Sequence, residues 1–177
     1  ATVTARMDIV QRGGNDFGTD KFSPVVESVL KIANGTGANQ ADLAFVDQRE
    51  VSASSNDDLD LSGSLTDAFG NTVTAAEIVA ILIVNAPRTG SANVSDLTIG
   101  AGSNPFEGFL GGTSPTIGPI KPGGFVLIGA GDAAGTGTVA GGTLAFDIDL
   151  GDSTGATFAG LRSKLVSPIR VRASANA

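Results

Sequence analysis

The chain has 177 residues and a formal net charge of −7, and it contains no His, Cys, Trp or Tyr. Without His and Cys it lacks the commonest general base, the thiolate nucleophile and the commonest transition-metal ligands, which excludes Ser-His-Asp and Cys-His catalysis. The acidic balance argues against nucleic acid, and no apolar run is long enough to cross a membrane as a helix. We therefore expect a protein that is not an enzyme, has no catalytic residues or cofactors, and binds neither nucleic acid nor membrane.

The N-terminal part of the chain predicts strands. Residues 2–9 alternate apolar and polar side chains, as a half-buried strand does, and the glycines of "RGGND" predict its end. Residues 22–37 are ambiguous: Ser23-Pro24 resembles a helix start, but the β-branched residues that follow favour a strand, which we prefer. We expect residues 1–22 to form an N-terminal strand or arm and residues 23–177 to form the main domain.

The middle of the chain predicts further short strands, at residues 42–53 and 58–63, followed by a turn at Gly70-Asn71. The stretch "EIVAILIVN", residues 77–85, is apolar on both faces and predicts a central strand. Either the chain covers both faces itself, or its own core covers one and a neighbouring subunit the other.

The C-terminal half adds strands in "NVSDLTIG", "GGFVLIGA", "GTLAFDIDL" and "SPIRVRAS", with a long Pro/Gly-rich connection over residues 103–124. About nine short strands and hardly a convincing helix predict an all-β single domain, an antiparallel β-sandwich of jelly-roll type.

Two groups of side chains are candidates for a site. Asp147, Asp149 and Asp152 alternate in a way that could supply oxygens to Ca²⁺, although alternating aspartates are more often the solvated face of a strand, so we expect no metal. Apolar side chains that could equally belong to the core, and a basic pair that could equally be the solvated face of a strand, are candidates for subunit contacts. These interface candidates are Ile81, Ile83, Phe106, Phe109, Leu110, Arg170 and Arg172.

A resemblance rests on residues 33–130, which contain "NGTGANQAD", "DLDLSGSLTDAFGN", "NPFEGFLGG" and "KPGG". In these motifs the chain resembles a family of small virion structural proteins of tailed bacteriophages. The resemblance implies a place in the virus particle after synthesis in the host cytoplasm, with head decoration the first choice.

The partners implied by the resemblance are the major capsid protein or other virion proteins. A homo-oligomer is expected as well, and a trimer at capsid three-fold positions is one arrangement that fits. The alternatives are a minor tail or fibre-base component and a receptor- or glycan-binding β-sandwich.

Overall fold

The structure is a computed structural model that describes residues 1–51, 55–61, 63, 65–86, 92–94, 96–100, 116–136, 145–150 and 165–173. For the last two ranges it describes the backbone. This part of the chain is all-β and contains no helix. Its strands are β1 (Thr2–Asp8), β2 (Gln11–Asn15), β3 (Gly18–Phe22), β4 (Val25–Lys31), β5 (Gln48–Val51), β6 (Ser55–Asp60), β7 (Ile78–Val84), β8 (Leu97–Gly100), β9 (Thr116–Ile120), β10 (Phe125–Gly129), β11 (Ala145–Leu150) and β12 (Leu165–Ala173).

The first four strands form one long antiparallel hairpin, which we call the arm (residues 1–32). β1 pairs with β4, and β2 pairs with β3 in the same register, so that the ladder runs without a slip to a two-residue loop at Asp16-Phe17. The two halves meet at Pro24, whose carbonyl accepts a hydrogen bond from the N–H of Ile9 at 3.1 Å. Because proline has no N–H, it cannot return that bond, which explains the local interruption.

The register of the arm corrects the expectation that "RGGND" ends a strand. Gly13 and Gly14 lie inside β2 opposite Asp20 and Thr19, and the reversal comes two residues later. Gly18, directly after the loop, has a φ of 132°, which glycine adopts without steric cost. The expected boundary after residue 22 falls inside the hairpin, between β3 and β4.

The rest of the chain, residues 33–177, is called the body. Its largest described sheet has four strands in the order β10-β7-β12-β5. β10 is antiparallel to β7, whereas β12 lies parallel to both of its neighbours, β7 and β5. The all-antiparallel expectation is therefore wrong for β12. Parallel neighbours need a long crossover, and β12 follows β7 only after some eighty residues, a distance at which sequence patterns carry no pairing information.

Among the side chains that the structure describes, eleven buried apolar ones from the segments between residues 45 and 120 form the main core. Seven of the largest are almost fully buried: Leu59, Leu61, Ile78, Ile81, Ile83, Leu97 and Ile99. Each side chain of this size stabilises the fold by about 1.5–3 kcal/mol relative to leaving it in water. This core holds β6, β7, β8 and β9 together.

β7 is covered on both of its faces by the chain itself. Ile81 and Ile83 pack in the main core, whereas Val79 and Ala80 join Ile32 in a second, smaller core at the base of the arm. The continuous apolar run therefore reflects a strand in which residues 78–81 and 83, on both of its faces, are buried by the chain itself. Since Ile81 and Ile83 are fully buried within one chain, their side chains are not on its surface and cannot be the contact residues that we expected.

Candidate interaction surface

The arm presents an apolar stripe that starts in the core and continues into solvent. Side chains directly opposite each other in an antiparallel ladder share a face, and here one face carries the pairs Val3–Leu30, Met7–Val26 and Ile9–Pro24. Val3 and Leu30 pack on the second core. Farther along the same face, Met7 and Val26 are each more than 60% exposed. The stripe is thus buried at its base and uncovered beyond it.

The tip of the arm is also apolar. Phe22 continues the same stripe opposite Gln11 and is 64% exposed, and Phe17 in the terminal loop is fully exposed. The other face of the arm adds Val10, Val25 and Val29, all about half exposed. Large apolar side chains that are scattered singly need no explanation, but a contiguous stripe of them marks an interaction surface.

Both long edges of the arm are open. β1 and β4 form a two-stranded sheet, as do β2 and β3, and no other described strand pairs with any of them. Open edges of this kind invite pairing with another chain, and a two-stranded ribbon alone is only marginally stable in water. The arm therefore combines exposed apolar side chains with strand edges that no other described strand covers.

Charges on the arm are balanced, unlike those of the body. Residues 1–32 contain four basic and four acidic residues, which leaves seven basic and fourteen acidic residues in the rest of the chain. The whole net charge of −7 thus belongs to residues 33–177. On the face opposite to the stripe, Arg6 binds Asp8 with two hydrogen bonds of 2.9 and 2.8 Å and reaches Glu27 at 3.4 Å.

Near the tip, Arg12 lies directly opposite Lys21. Like charges in this position destabilise a ladder, and neither cation makes an ion pair with another described residue. That face of the arm is therefore basic near its end, but Asp16 and Asp20 make the end of the arm neutral as a whole.

A depression of about 260 Å³ lies at the base of the arm. Its lining combines Ala33, Ala41 and Ala44 with the side chains of Ile32 and Leu43. Ile32 belongs to the arm's ladder, since its N–H donates to the carbonyl of Ala1 at 2.8 Å. The depression is open to solvent, and Asn34, Asp42 and the N-terminal ammonium of Ala1 share its walls with these apolar side chains.

A second depression, of about 270 Å³, lies beside Arg49 on β5 and is lined by polar groups. Arg49 is held by Asp57 through two hydrogen bonds, from Nη2 to Oδ1 at 2.9 Å and from Nε to Oδ2, and it also donates to Asp47 at 3.1 Å. The hydrogen bond to Asp57 is the main cause that raises the pKa of Arg49, and burial opposes it in part. Because these charges satisfy one another, we read this cluster as a structural link between β5 and β6.

The structure describes the backbone of two of the three Ca²⁺ candidates. Asp147 and Asp149 lie on β11, whose backbone pairs with β6, and this register sets Asp147 directly opposite Asp58. The acidic segment of β11 is therefore the neighbour of a second acidic segment, Asp57, Asp58 and Asp60 of β6, in one ladder. Asp152 lies outside the described residues. Among the side chains that the structure describes, no three acidic groups converge as metal ligands.

The remaining interface candidates lie on β12 or outside the description. Arg170 pairs with Gln48 on one side and Val84 on the other, and Arg172 pairs with Glu50, so both occupy an interior strand of the four-stranded sheet. Phe106, Phe109 and Leu110 lie outside the described residues.

No helix of membrane-spanning length and apolarity occurs in the part of the chain that is described.

Sequence reasoning missed the outer half of the arm. The only local signals for it were the "NDFG" turn and the short polar strands on either side of that turn. The pair Gly13-Gly14 obscured these signals because it resembles the end of a strand.

Comparison with protein-family models, curated proteins and solved structures finds no match to this chain.

Proposed function

We propose that the chain is a structural virion protein of a tailed bacteriophage, a capsid decoration protein that binds the major capsid protein and stabilises the head shell. The observation that carries the proposal is the arm, which projects apolar side chains and open strand edges into solvent. Such a surface suits a protein whose exposed apolar side chains and strand edges become covered only when it assembles with other proteins. The resemblance over residues 33–130 supports the virion as the place of that assembly.

The architecture of the body supports the same role. β7 is buried on both of its faces, and β10 and β12 flank it in the four-stranded sheet. We propose that the ladders of the body belong to one β-sandwich of jelly-roll type. A rigid β-body of this kind resists local unfolding, and many copies on a shell can bind through individually weak contacts that add by avidity.

The test is the location and the number of copies of this chain in the particle. Cryo-electron microscopy of virions from the phage that encodes it should show density for the β-body on the outside of the head, in hundreds of copies. Quantitative mass spectrometry of the same virions should give a matching ratio to the major capsid protein. A few copies at one vertex would establish the minor tail or fibre-base alternative instead, and absence from the virion would overturn both.

A reconstitution experiment tests the stabilising role. Head shells that lack the chain should rupture at a lower temperature than native shells, and the purified full chain should restore the native value. Restoration should not depend on Ca²⁺. Binding of the purified chain to glycans that is lost in a chelator would favour the glycan-binding alternative instead. Shells that bind the chain without any gain in thermal stability would contradict the stabilising function.

A further inference from the structure

We infer that Asn34 is a site of covalent modification. Its side-chain amide is lost when the backbone nitrogen of Gly35 attacks it, and the isoaspartate that results loosens the base of the arm. This goes beyond the proposed function, because the reaction needs only water and proceeds wherever the protein acts.

The sequence offers this reaction at one place. Asn34 is the only one of the nine asparagines that is followed by glycine. The reaction closes a five-membered ring between the side-chain carbonyl of asparagine and the backbone nitrogen of the next residue, and a Cβ on that residue crowds the ring. Glycine has no Cβ, so ring closure meets the least steric resistance at Asn34.

The structure leaves both reacting groups accessible. Asn34 is exposed, and its side chain makes no hydrogen bond within the part of the chain that the structure describes. The N–H of Gly35 donates to the carbonyl of Ala41 at 3.4 Å, whereas an ordinary N–H···O hydrogen bond measures about 2.7–3.2 Å. The nitrogen is therefore only weakly held, and solvent can reach the amide that it attacks.

The other asparagines with described side chains are less suited to the reaction. Asn85 and Asn93 are buried and joined by a hydrogen bond of 2.7 Å. Asn71 is exposed, but a carboxylate holds its Nδ2 at 3.0 Å, and the β-branched Thr72 follows it. Asn39 is exposed and is followed by a glutamine, whose Cβ crowds the ring. Sequence and environment thus favour the same residue.

The reaction balances with water alone. A solvent base removes the proton from the nitrogen of Gly35, which then bonds to Cγ of Asn34 while the bond from Cγ to Nδ2 breaks and ammonia leaves. Water opens the cyclic imide. Opening at Cγ leaves aspartate, whereas opening at the backbone carbonyl leaves isoaspartate, in which the main chain runs through Cβ and Cγ and is one atom longer. Either product adds one negative charge to the net −7.

The longer main chain falls where the arm joins the body. Gly35 has a φ of 133°, and a methyl group on it would come within 2.5 Å of Oε1 of Gln40, so this loop has no room for an added atom. Beside it, the N–H of Ala41 donates to the carbonyl of Ala33 at 2.9 Å, and Ala41 packs with Ile32 on the second core. Lengthening the chain between Ala33 and Ala41 displaces these contacts, so the base of the arm opens more often.

The first experiment follows the full chain during incubation at physiological temperature and mildly alkaline pH. Trypsin releases residues 32–49 as one peptide, which should gain the mass difference between an amide and a carboxyl group, located at Asn34 by tandem mass spectrometry. The same peptide should become a substrate for isoaspartyl methyltransferase. The rate should rise with pH, because the attacking nitrogen must lose its proton.

Two controls belong to this experiment. Asn34→Gln should lose the mass gain at position 34, because a glutamine would have to close a larger and slower ring. Asn71, in the same incubated sample, is the internal control for an exposed asparagine and should stay amidated.

The second experiment measures hydrogen exchange of the backbone amides in β1 and β4. The incubated natural chain should exchange faster than the fresh one at the base of the arm. Incubated Asn34→Gln should keep the fresh rates. Freshly prepared Asn34→Asp should keep them as well, because it carries the added charge without the added main-chain atom.

Three results would overturn the inference. The first is an Asn34 that stays amidated, or that reacts no faster than Asn71. The second is isoaspartate at position 34 with unchanged exchange in β1 and β4. The third is faster exchange in fresh Asn34→Asp equal to that of the incubated natural chain, since charge alone would then explain it. Location in the virion is measured separately, so either proposal can fail while the other stands.

Discussion

Asn93 donates a hydrogen bond from its Nδ2 to Oδ1 of Asn85 at 2.7 Å, and both side chains are buried. Asn85 in turn donates from Nδ2 to the carbonyl of Ile120 at 2.8 Å. Its backbone also pairs with Gly123 and Gly124 on the approach to β10. One buried amide thus ties the end of β7 to the end of β9 and to the segment around residue 93.

We expect Asn85→Ala to lower the free energy of unfolding by about 3 kcal/mol, because it removes the hydrogen-bond partner of two buried polar groups. Urea unfolding followed by circular dichroism measures this loss. The matched control is Asn34→Ala, since Asn34 is exposed, and it should change the free energy by less than about 0.5 kcal/mol. Equal losses of unfolding free energy in the two variants would show that the buried amide network stabilises the fold no more than an exposed asparagine does.

Arg49 and Asp57 provide a prediction about a half-buried ion pair. A single ammonium cannot reproduce the two hydrogen bonds of the guanidinium, so Arg49→Lys should destabilise the protein by about 1–2 kcal/mol. A double-mutant cycle of Arg49→Gln with Asp57→Asn should give a coupling energy of about 1–2 kcal/mol.

The control cycle uses Arg6 and Asp8, which are joined by the same two-bond geometry but are exposed on the arm. Solvent screening should make its coupling energy clearly smaller. If the two cycles give the same value, burial is not what strengthens the Arg49 pair.

The sequence predicted strands correctly where the pattern of apolar and polar residues depends on that strand alone. Alternation marked β1, and the apolar run marked β7, because a strand's own faces decide which residues are buried. The preference for a strand over a helix within residues 22–37 is confirmed by β4, where the β-branched residues outweighed the Ser-Pro signal.

What the sequence could not predict depends on contacts between distant segments. The apolar run of β7 does not say what covers it, so Ile81 and Ile83 looked equally suited to a partner, although the chain's own two cores enclose the strand. The parallel insertion of β12 between β7 and β5 is likewise a long-range pairing. In the arm, Gly13 and Gly14 concealed β2, because a glycine pair is normally a break and here it is held by its partner strand.

Asp67 provides a prediction about pH. Its carboxylate accepts hydrogen bonds from Nδ2 of Asn71 at 3.0 Å and from the N–H groups of Asn71 and Phe69 at 2.8 Å each. These bonds, first among them the one from the Asn71 side chain, lower the pKa of Asp67 below its usual value of 3.8. The folded state therefore binds the proton of Asp67 less readily than the unfolded state does.

It follows that Asp67 stabilises the fold fully at pH values above 3.8, and that this contribution is lost as the pH falls through the lower pKa of the folded state. Asp67→Ala should accordingly be less stable than the natural chain at neutral pH, and the difference should shrink in acid. A carbon NMR titration should place the midpoint of Asp67 below 3.8 and move it upward in Asn71→Ala. An identical midpoint in both proteins would contradict this account of the turn.

The ladder between β6 and β11 yields the last prediction, because its register sets Asp147 directly opposite Asp58. Like charges at opposite positions destabilise a ladder, so Asp147→Asn should raise the free energy of unfolding by about 0.5 kcal/mol. Asp149 is the matched control, since it lies opposite the uncharged Asn56 and Asp149→Asn should bring a smaller gain.

We expect the melting temperature of the natural chain to be the same with Ca²⁺ and with a chelator. A Ca²⁺-dependent rise that Asp147→Asn abolishes would show instead that the two strands hold a cation, and a destabilised Asp147→Asn in chelator would contradict the repulsion between the aspartates.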